Sequence, residues 1–234
     1  MKRILTAVIS TLIFISCQTI TGSGNIITQT KKVSEFEGVK TSGSIDIEVS
    51  NNKTESVKIE ADDNVLPYVI ITVEDGILNI HYKRGISFIN DHVKVYVSAP
   101  VLKKLIVSGS GNIISAGTLK DAAKIEMKVS GSGNINATVD APAILANIGG
   151  SGTVMFKGKT KEFTCNISGS GDIKANNLLS ENTGVTVSGS GTAHVFASVQ
   201  LNAKVSGSGE IFYSGNPTSP QTHISGSGTI EAEK

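Results

Sequence analysis

The sequence predicts an all-β fold: a single-domain β-solenoid with coils of about 18–22 residues. Three observations predict it. Gly-Ser-Gly triplets begin at Gly109, Gly131, Gly150, Gly169, Gly189, Gly207 and Gly226, at steps of 22, 19, 19, 20, 18 and 19 residues. A fixed period near twenty marks a stacked repeat. Two residues before each triplet stand Val107, Val129, Ile148, Ile167, Val187, Val205 and Ile224, all β-branched and apolar. Four residues after its first glycine stand Ile113, Ile135, Val154, Ile173, Ala193, Ile211 and Ile230, again all apolar. Between these rows the side chains are mostly polar, so each repeat carries two short half-buried strands with alternating faces. One repeat cannot bury its apolar rows alone; stacking turns them into continuous ladders. Strand spacing of about 4.8 Å gives a rod of roughly 29 Å over six steps.

The elements follow in order. Residues 1–16 read as a signal peptide: Lys2 and Arg3 are a basic start, and Ile4 to Ile15 is an apolar run too short for a membrane span. Phe14-Ile15-Ser16-Cys17 resembles a bacterial lipobox, which implies lipidation of Cys17 after cleavage before it. Residues 17–32 are expected to be the lipidated N-terminus and a linker, and residues 33–234 the solenoid. Gly22-Ser23-Gly24-Asn25-Ile26 reads as an early triplet copy or part of the linker, and Gly43-Ser44-Ile45-Asp46-Ile47 as a further copy. The 66 residues from Gly43 to Gly109 would fit three coils of 22. Strands are expected at Val57–Glu60, Val69–Val73, Ile77–Tyr82 and Val93–Val97, with a tight turn at Glu74-Asp75-Gly76 and a turn or one-turn helix around Asp62–Pro67.

The paired glycines of the triplets (Gly109 and Gly111, Gly131 and Gly133, Gly150 and Gly152, Gly169 and Gly171, Gly189 and Gly191, Gly207 and Gly209, Gly226 and Gly228) are expected to turn the corners. Glycine supplies positive φ where a corner needs it, and Gly133 is taken as such a position. A right-handed parallel β-helix is the first expectation, although spacing alone leaves handedness and the number of sides open.

Composition narrows the function. The formal net charge is +1, with both signs scattered, which argues against nucleic acid as a partner and against strong electrostatic binding to anionic headgroups. Besides Cys17 there is one cysteine, Cys165, so no disulfide framework stabilises the chain. Cys165 falls in an inward row between Ala146 and Val185 and reads as a buried apolar thiol. His81, His92, His194 and His223 lack metal-ligand spacing, and His194 and His223 fall in outward rows. An acidic residue recurs too rarely after the triplets for a calcium ladder, and a strand rather than a helix follows each glycine pair, unlike a phosphate loop. No cofactor or metal is expected. The sharpest enzymatic arrangement is Asp172 and Glu210, in one row two coils and about 9.6 Å apart, near the carboxyl spacing of inverting glycosidases. Thr192 stands between them. Stacking platforms for sugars are scarce, with no Trp and four Tyr: Tyr68, Tyr82, Tyr96 and Tyr213.

Four segments carry a resemblance: Phe36-Glu37-Gly38-Val39 with Ser42-Gly43-Ser44-Ile45-Asp46-Ile47; Ala61-Asp62-Asp63-Asn64-Val65-Leu66-Pro67-Tyr68-Val69; Val93 to Pro100; and Leu105 to Ile113. Together they resemble the "putative auto-transporter adhesin, head GIN domain" family, a domain of unknown function common in Bacteroidetes lipoproteins. The resemblance spans about Gly22 to Lys234 and implies an exported β-solenoid on the cell envelope. It carries over no catalytic residue. The autotransporter label would call for a C-terminal membrane barrel of alternating strands; none is legible here, so self-export by that route is not expected.

The expected function is an exported, lipid-anchored outer-membrane protein, facing the periplasm or the exterior, acting as an adhesion-type binding module or scaffold without catalysis. Its partners are the membrane, through the lipid on Cys17, and a glycan or protein ligand. The alternatives are a polysaccharide-acting β-helix enzyme and a ligand-free structural envelope protein.

Overall fold

The computed structural model describes residues 18–121 and 123–233. Its strands stack into a parallel β-solenoid of about six turns, in one domain. The strands that run into the glycine corners form an inbound ladder. Gly38–Gly43, Lys104–Gly109, Lys124–Gly131, Ala143–Gly150, the latter halves of Thr153–Gly169 and Asp172–Gly189, Gln200–Gly207 and Gln221–Gly226 each pair in parallel with the next. The strands that leave the corners form an outbound ladder. It runs from Asp46–Asn51 through Asn112–Lys120, Asn134–Asp140, the first halves of the two long strands, Thr192–Phe196 and Glu210–Ser214 to Thr229–Ala232.

The register is the one the repeat demands. Val107, Val129, Ile148, Ile167, Val187 and Val205 occupy successive rungs, each at most 2% exposed. Ile47, Ile113, Ile135, Val154, Ile173, Ala193 and Ile211 form the facing column, buried to the same degree. Both belong to one continuous core. The inward hydroxyls at the second corner are satisfied within it. Ser180 Oγ and Thr183 Oγ1 lie 2.8 Å apart and both donate to the Phe196 carbonyl.

The glycine pair of each triplet solves two different problems. The first glycine turns the chain: Gly131 has φ +122°, and every first glycine of the seven triplets lies between +122° and +139°. The second is required by contact. A Cβ on Gly133 would fall inside the Gly111 carbonyl oxygen of the coil before and 2.6 Å from Val107 Cγ1. The expectation of positive φ at Gly133 is therefore corrected; its backbone is ordinary and its neighbour is too close. The same approach lets the Gly109 carbonyl accept two N–H groups of the following corner, from Ser132 at 2.9 Å and Gly133 at 2.8 Å.

The 66 residues between Gly43 and Gly109 do not form three coils. Gly43 pairs directly with Gly109, so these two corners are adjacent rungs. After Asp46–Asn51 the chain leaves the stack. Ser56–Asp62 and Val93–Ala99 pair antiparallel to each other, and Val93–Ala99 lies parallel to Asp46–Asn51. Val69–Glu74 and Ile77–Tyr82 form a hairpin, and Ile77–Tyr82 lies parallel to Gly38–Gly43. Asp75 (φ 52°) and Gly76 (φ 70°) make the two-residue turn, which matches strand twist and reverses direction at once. Alternation looks the same in either direction, so it located these strands without their polarity. Leu66–Tyr68 is a single 3-10 turn. The stretch expected as a linker is also built in: Gln18–Thr21 is a strand, and Ile26–Lys31 pairs antiparallel with Ser56–Asp62 rather than serving as an early corner. The result is an antiparallel cap over the N-terminal end of both ladders.

Gly133→Ala is expected to destabilise the chain by about 3 kcal/mol or more, because backbone cannot move aside as a side-chain tip does. Gly117→Ala, whose new methyl meets nothing within 4 Å, is expected to stay within about 0.5 kcal/mol of the parent. Thermal and denaturant melts of the two variants check this; equal melts would remove the contact explanation.

Candidate functional site

The two outer faces differ in chemistry. On the inbound face, the row next to the triplets is Ser108, Ser130, Gly149, Ser168, Ser188, Ser206 and Ser225. The next outward row is mostly Lys, Asn and Thr, with Asn166 Nδ2 bonded to Asn147 Oδ1 at 3.0 Å. On the outbound face, one outward row holds several apolar and aromatic side chains among polar ones. In rung order it reads Tyr96, Glu48, Ile114, Asn136, Met155, Lys174, His194 and Phe212. At about 4.8 Å per rung, Ile114 to Phe212 spans roughly 24 Å. Ile114 is 50% exposed, whereas Ile113, just before it in the same strand, is fully buried.

Both ends of this row are organised. The ammonium groups of Lys58 and Lys94 lie over the Tyr96 ring, 4.6 and 4.7 Å from its centroid. The Tyr96 hydroxyl donates to Glu60 at 2.8 Å, and Lys94 pairs with Glu48 at 2.9 Å. Lys58, and then the Tyr96 hydroxyl, hold the Glu60 carboxyl below its ordinary value. At the other end the His194 ring stacks on Phe212 with centroids 5.0 Å apart, and His194 Nδ1 meets Glu233 at 2.8 Å. Beside this row, part of the polar row nearest the corner is already spent internally. Asn112 Nδ2 donates to Asp46 at 2.8 Å, and Asn134 Nδ2 to Asn112 Oδ1 at 2.8 Å. A separate cleft of about 660 Å³ opens by the cap, lined by Phe36, Ile77, Val101, Glu55, Lys103 and Lys104.

The sequence signature described as "Putative auto-transporter adhesin, head GIN domain" matches residues 35–217. The chain belongs to this family. Its fold is shared by solved proteins of Bacteroides and Parabacteroides. A "putative adhesin" of Bacteroides fragilis is 23% identical with a TM-score of 0.87, over 92% of this chain and 100% of that one. A "putative adhesin" of Parabacteroides distasonis is 30% identical with a TM-score of 0.74, over 92% of this chain and 100% of that one. A "putative lipid binding protein" of the same species is 28% identical with a TM-score of 0.76, over 93% of this chain and 100% of that one. No curated protein matches the chain.

In this head GIN domain the residues singled out by sequence are placed as follows. Asp172, Thr192 and Glu210 share a row on successive rungs, so the two carboxylates stay two rungs apart with a threonine between. Among the described residues no three His, Cys, Asp or Glu side chains gather as a metal site. Cys165 stands between Ala146 and Val185 and is fully buried, and that burial pushes its thiol well above the ordinary value. His223 is exposed, while His194 is half-buried and paired, not simply solvated. His81 Nδ1 meets the Tyr82 carbonyl at 2.8 Å. Cys17 lies outside the described residues. The outbound aromatic row escaped the sequence reading. Its signal is the position five residues after each first glycine, which is outward by parity yet holds Ile114, Met155 and Phe212.

Cys165 is expected to be inert to maleimide at mildly alkaline pH in the folded ectodomain lacking Cys17, and to react fully in guanidinium. Burial that raises a thiol's pKa keeps it protonated where a free thiol already ionises. Stoichiometric labelling of the folded chain would contradict the packed column.

Proposed function

We propose that this chain is an exported, lipid-anchored adhesion module of the outer membrane that binds a glycan or protein along its outbound face without catalysing a reaction. The observation that carries the reading is the outward row in which Tyr96, Ile114, Met155, His194 and Phe212 are interspersed with Glu48, Asn136 and Lys174. An apolar and aromatic stripe with a polar rim is the composition of a contact surface. The stack holds its members at fixed intervals, so several weak contacts act together without an ordering cost at each. The relatives described as adhesins support the same class of function. The lipobox at Cys17 supports anchoring, since a diacylglyceryl group plus an N-acyl chain retains a protein far better than one chain does.

Glycan and matrix-protein arrays probed with the soluble ectodomain test this. Ile114→Glu with Phe212→Ala is expected to weaken the captured ligand by about tenfold or more, ~1.4 kcal/mol. Lys128→Glu with Lys204→Glu, on the inbound face, is expected to leave it unchanged. Degradation of a polysaccharide that stops in Asp172→Asn would replace the proposal with the enzymatic reading. Silence on every array would favour a ligand-free structural role.

A further inference from the structure

The chain immediately after Cys17 has no slack. Gln18–Thr21 runs parallel to Ile86–Ile89, from Gln18 opposite Ile86 to Thr21 opposite Ile89. The Gly22 amide donates to the Ile89 carbonyl at 3.0 Å. Three consecutive residues of the cap then clasp the next turn. Asp62 accepts from the Gly24 amide at 2.7 Å, and Asp63 from Ser23 Oγ at 2.6 Å and Asn25 Nδ2 at 2.9 Å. Asn64 accepts from the Ser23 amide at 3.1 Å and donates to the Thr21 carbonyl at 2.8 Å. Asp62 is 1% exposed and also accepts from the His92 amide at 2.7 Å, so the clasp is joined to the strand behind it. Gly22 is packed so closely that a Cβ would lie 2.5 Å from the Asn90 carbonyl oxygen.

The two-stranded ribbon is pinned in turn. Phe88 stacks on Tyr82 with ring centroids 4.4 Å apart and tilts against Tyr68 at 6.0 Å. The Tyr82 hydroxyl donates to Asp91, and its ring lies 3.7 Å from where a Cβ of Gly43 would stand. The ribbon therefore sits at the foot of the glycine column, seven rungs or roughly 34 Å from the last corner at Gly226.

Adjacent Cα atoms are about 3.8 Å apart, so acyl chains on Cys17 would begin one residue from this ribbon. We infer that the ribbon edge, Thr19, Thr21 and Ile89 with the preceding Lys83-Arg84, docks on the bilayer that receives the acyl chains. This rests on the lipid-anchor reading. Pairing in register and alternation put Thr19, Thr21 and Ile89 on one face. Ile89 is 51% exposed, and Lys83 and Arg84 are exposed just before it. An apolar tip beside two cations fits the boundary between acyl chains and headgroup phosphates. The solenoid is thus seated at its capped end, and the row from Tyr96 to Phe212 runs away from the membrane.

The chain contains no tryptophan, so a single one is a clean reporter. The full lipidated chain carrying Ile89→Trp or Thr21→Trp is reconstituted in phosphatidylethanolamine–phosphatidylglycerol vesicles with brominated acyl chains. Emission from both is expected to fall by about half or more relative to unbrominated vesicles. Ile224→Trp, on the last coil, is expected to be unaffected. Lys83→Glu with Arg84→Glu is expected to lessen the quenching of Ile89→Trp. Vesicle-bound, acylated protein in which both reporters stay as bright as Ile224→Trp would overturn docking and leave the anchor standing. An N-terminal peptide without acyl mass on Cys17 would overturn the anchor and the docking with it.

Discussion

The close approach of glycine to glycine at the stacked corners is the constraint on which the rest depends. A side chain at Gly111, Gly133, Gly152 or Gly171 would overlap a carbonyl oxygen of the preceding coil. Such a side chain would hold the corners apart at more than ladder spacing. With the corners in contact, both parallel ladders keep their register. Val107 then meets Val129, and Ile113 meets Ile135. The dry column follows from that register, because a shift of one residue would turn every apolar row outward.

A stack of this kind has two ends and two faces, and the chain treats them differently. The N-terminal end is closed by antiparallel strands, which cost an insertion of two hairpin-like pairs between Gly43 and Gly109. The C-terminal end is left with Gln221–Gly226 and Thr229–Ala232 as edge strands, and there Ile224 is 45% exposed although its predecessors in the column are buried. Solenoids need terminal units that differ from the repeat; here the cap also carries the clasp for residues 21–25. The faces differ by the same logic. The inbound face is mostly Ser, Asn, Thr and Lys, while one row of the outbound face mixes Tyr96, Ile114, Met155 and Phe212 with polar side chains. The members of that row are held on rungs rather than on loops.

Polar groups are arranged so that the fold satisfies them itself. The Asp46–Asn112–Asn134 ladder binds rung to rung, and the Ser180–Thr183 pair closes on the Phe196 carbonyl. Among the described residues no buried side-chain nitrogen or oxygen lacks a partner. Buried polar groups left unpaired would cost more than they return, so hydroxyls and amides recur where a neighbour on the next rung answers them.

From Gly109 onward the sequence by itself determined the fold. The triplet period places the corners, and the rows around Val129 and Ile135 place the inward faces, because in a stack every rung repeats one local pattern. The strands at Ile77–Tyr82 and Val93–Ala99 were legible as strands, yet their directions and partners were not. Those depend on which edges remain free once Gly43 meets Gly109, a contact 66 residues apart that alternation cannot encode. Only the tertiary structure decided that residues 18–31 belong to the body, since Ile86–Ile89 and Ser56–Asp62 pair with their two strands and Asp62, Asp63 and Asn64 hold the turn between. It also decided which outward row gathers Tyr96 with Phe212. Local periodicity says which way a side chain points; what it stands beside is settled by the stacking of remote coils.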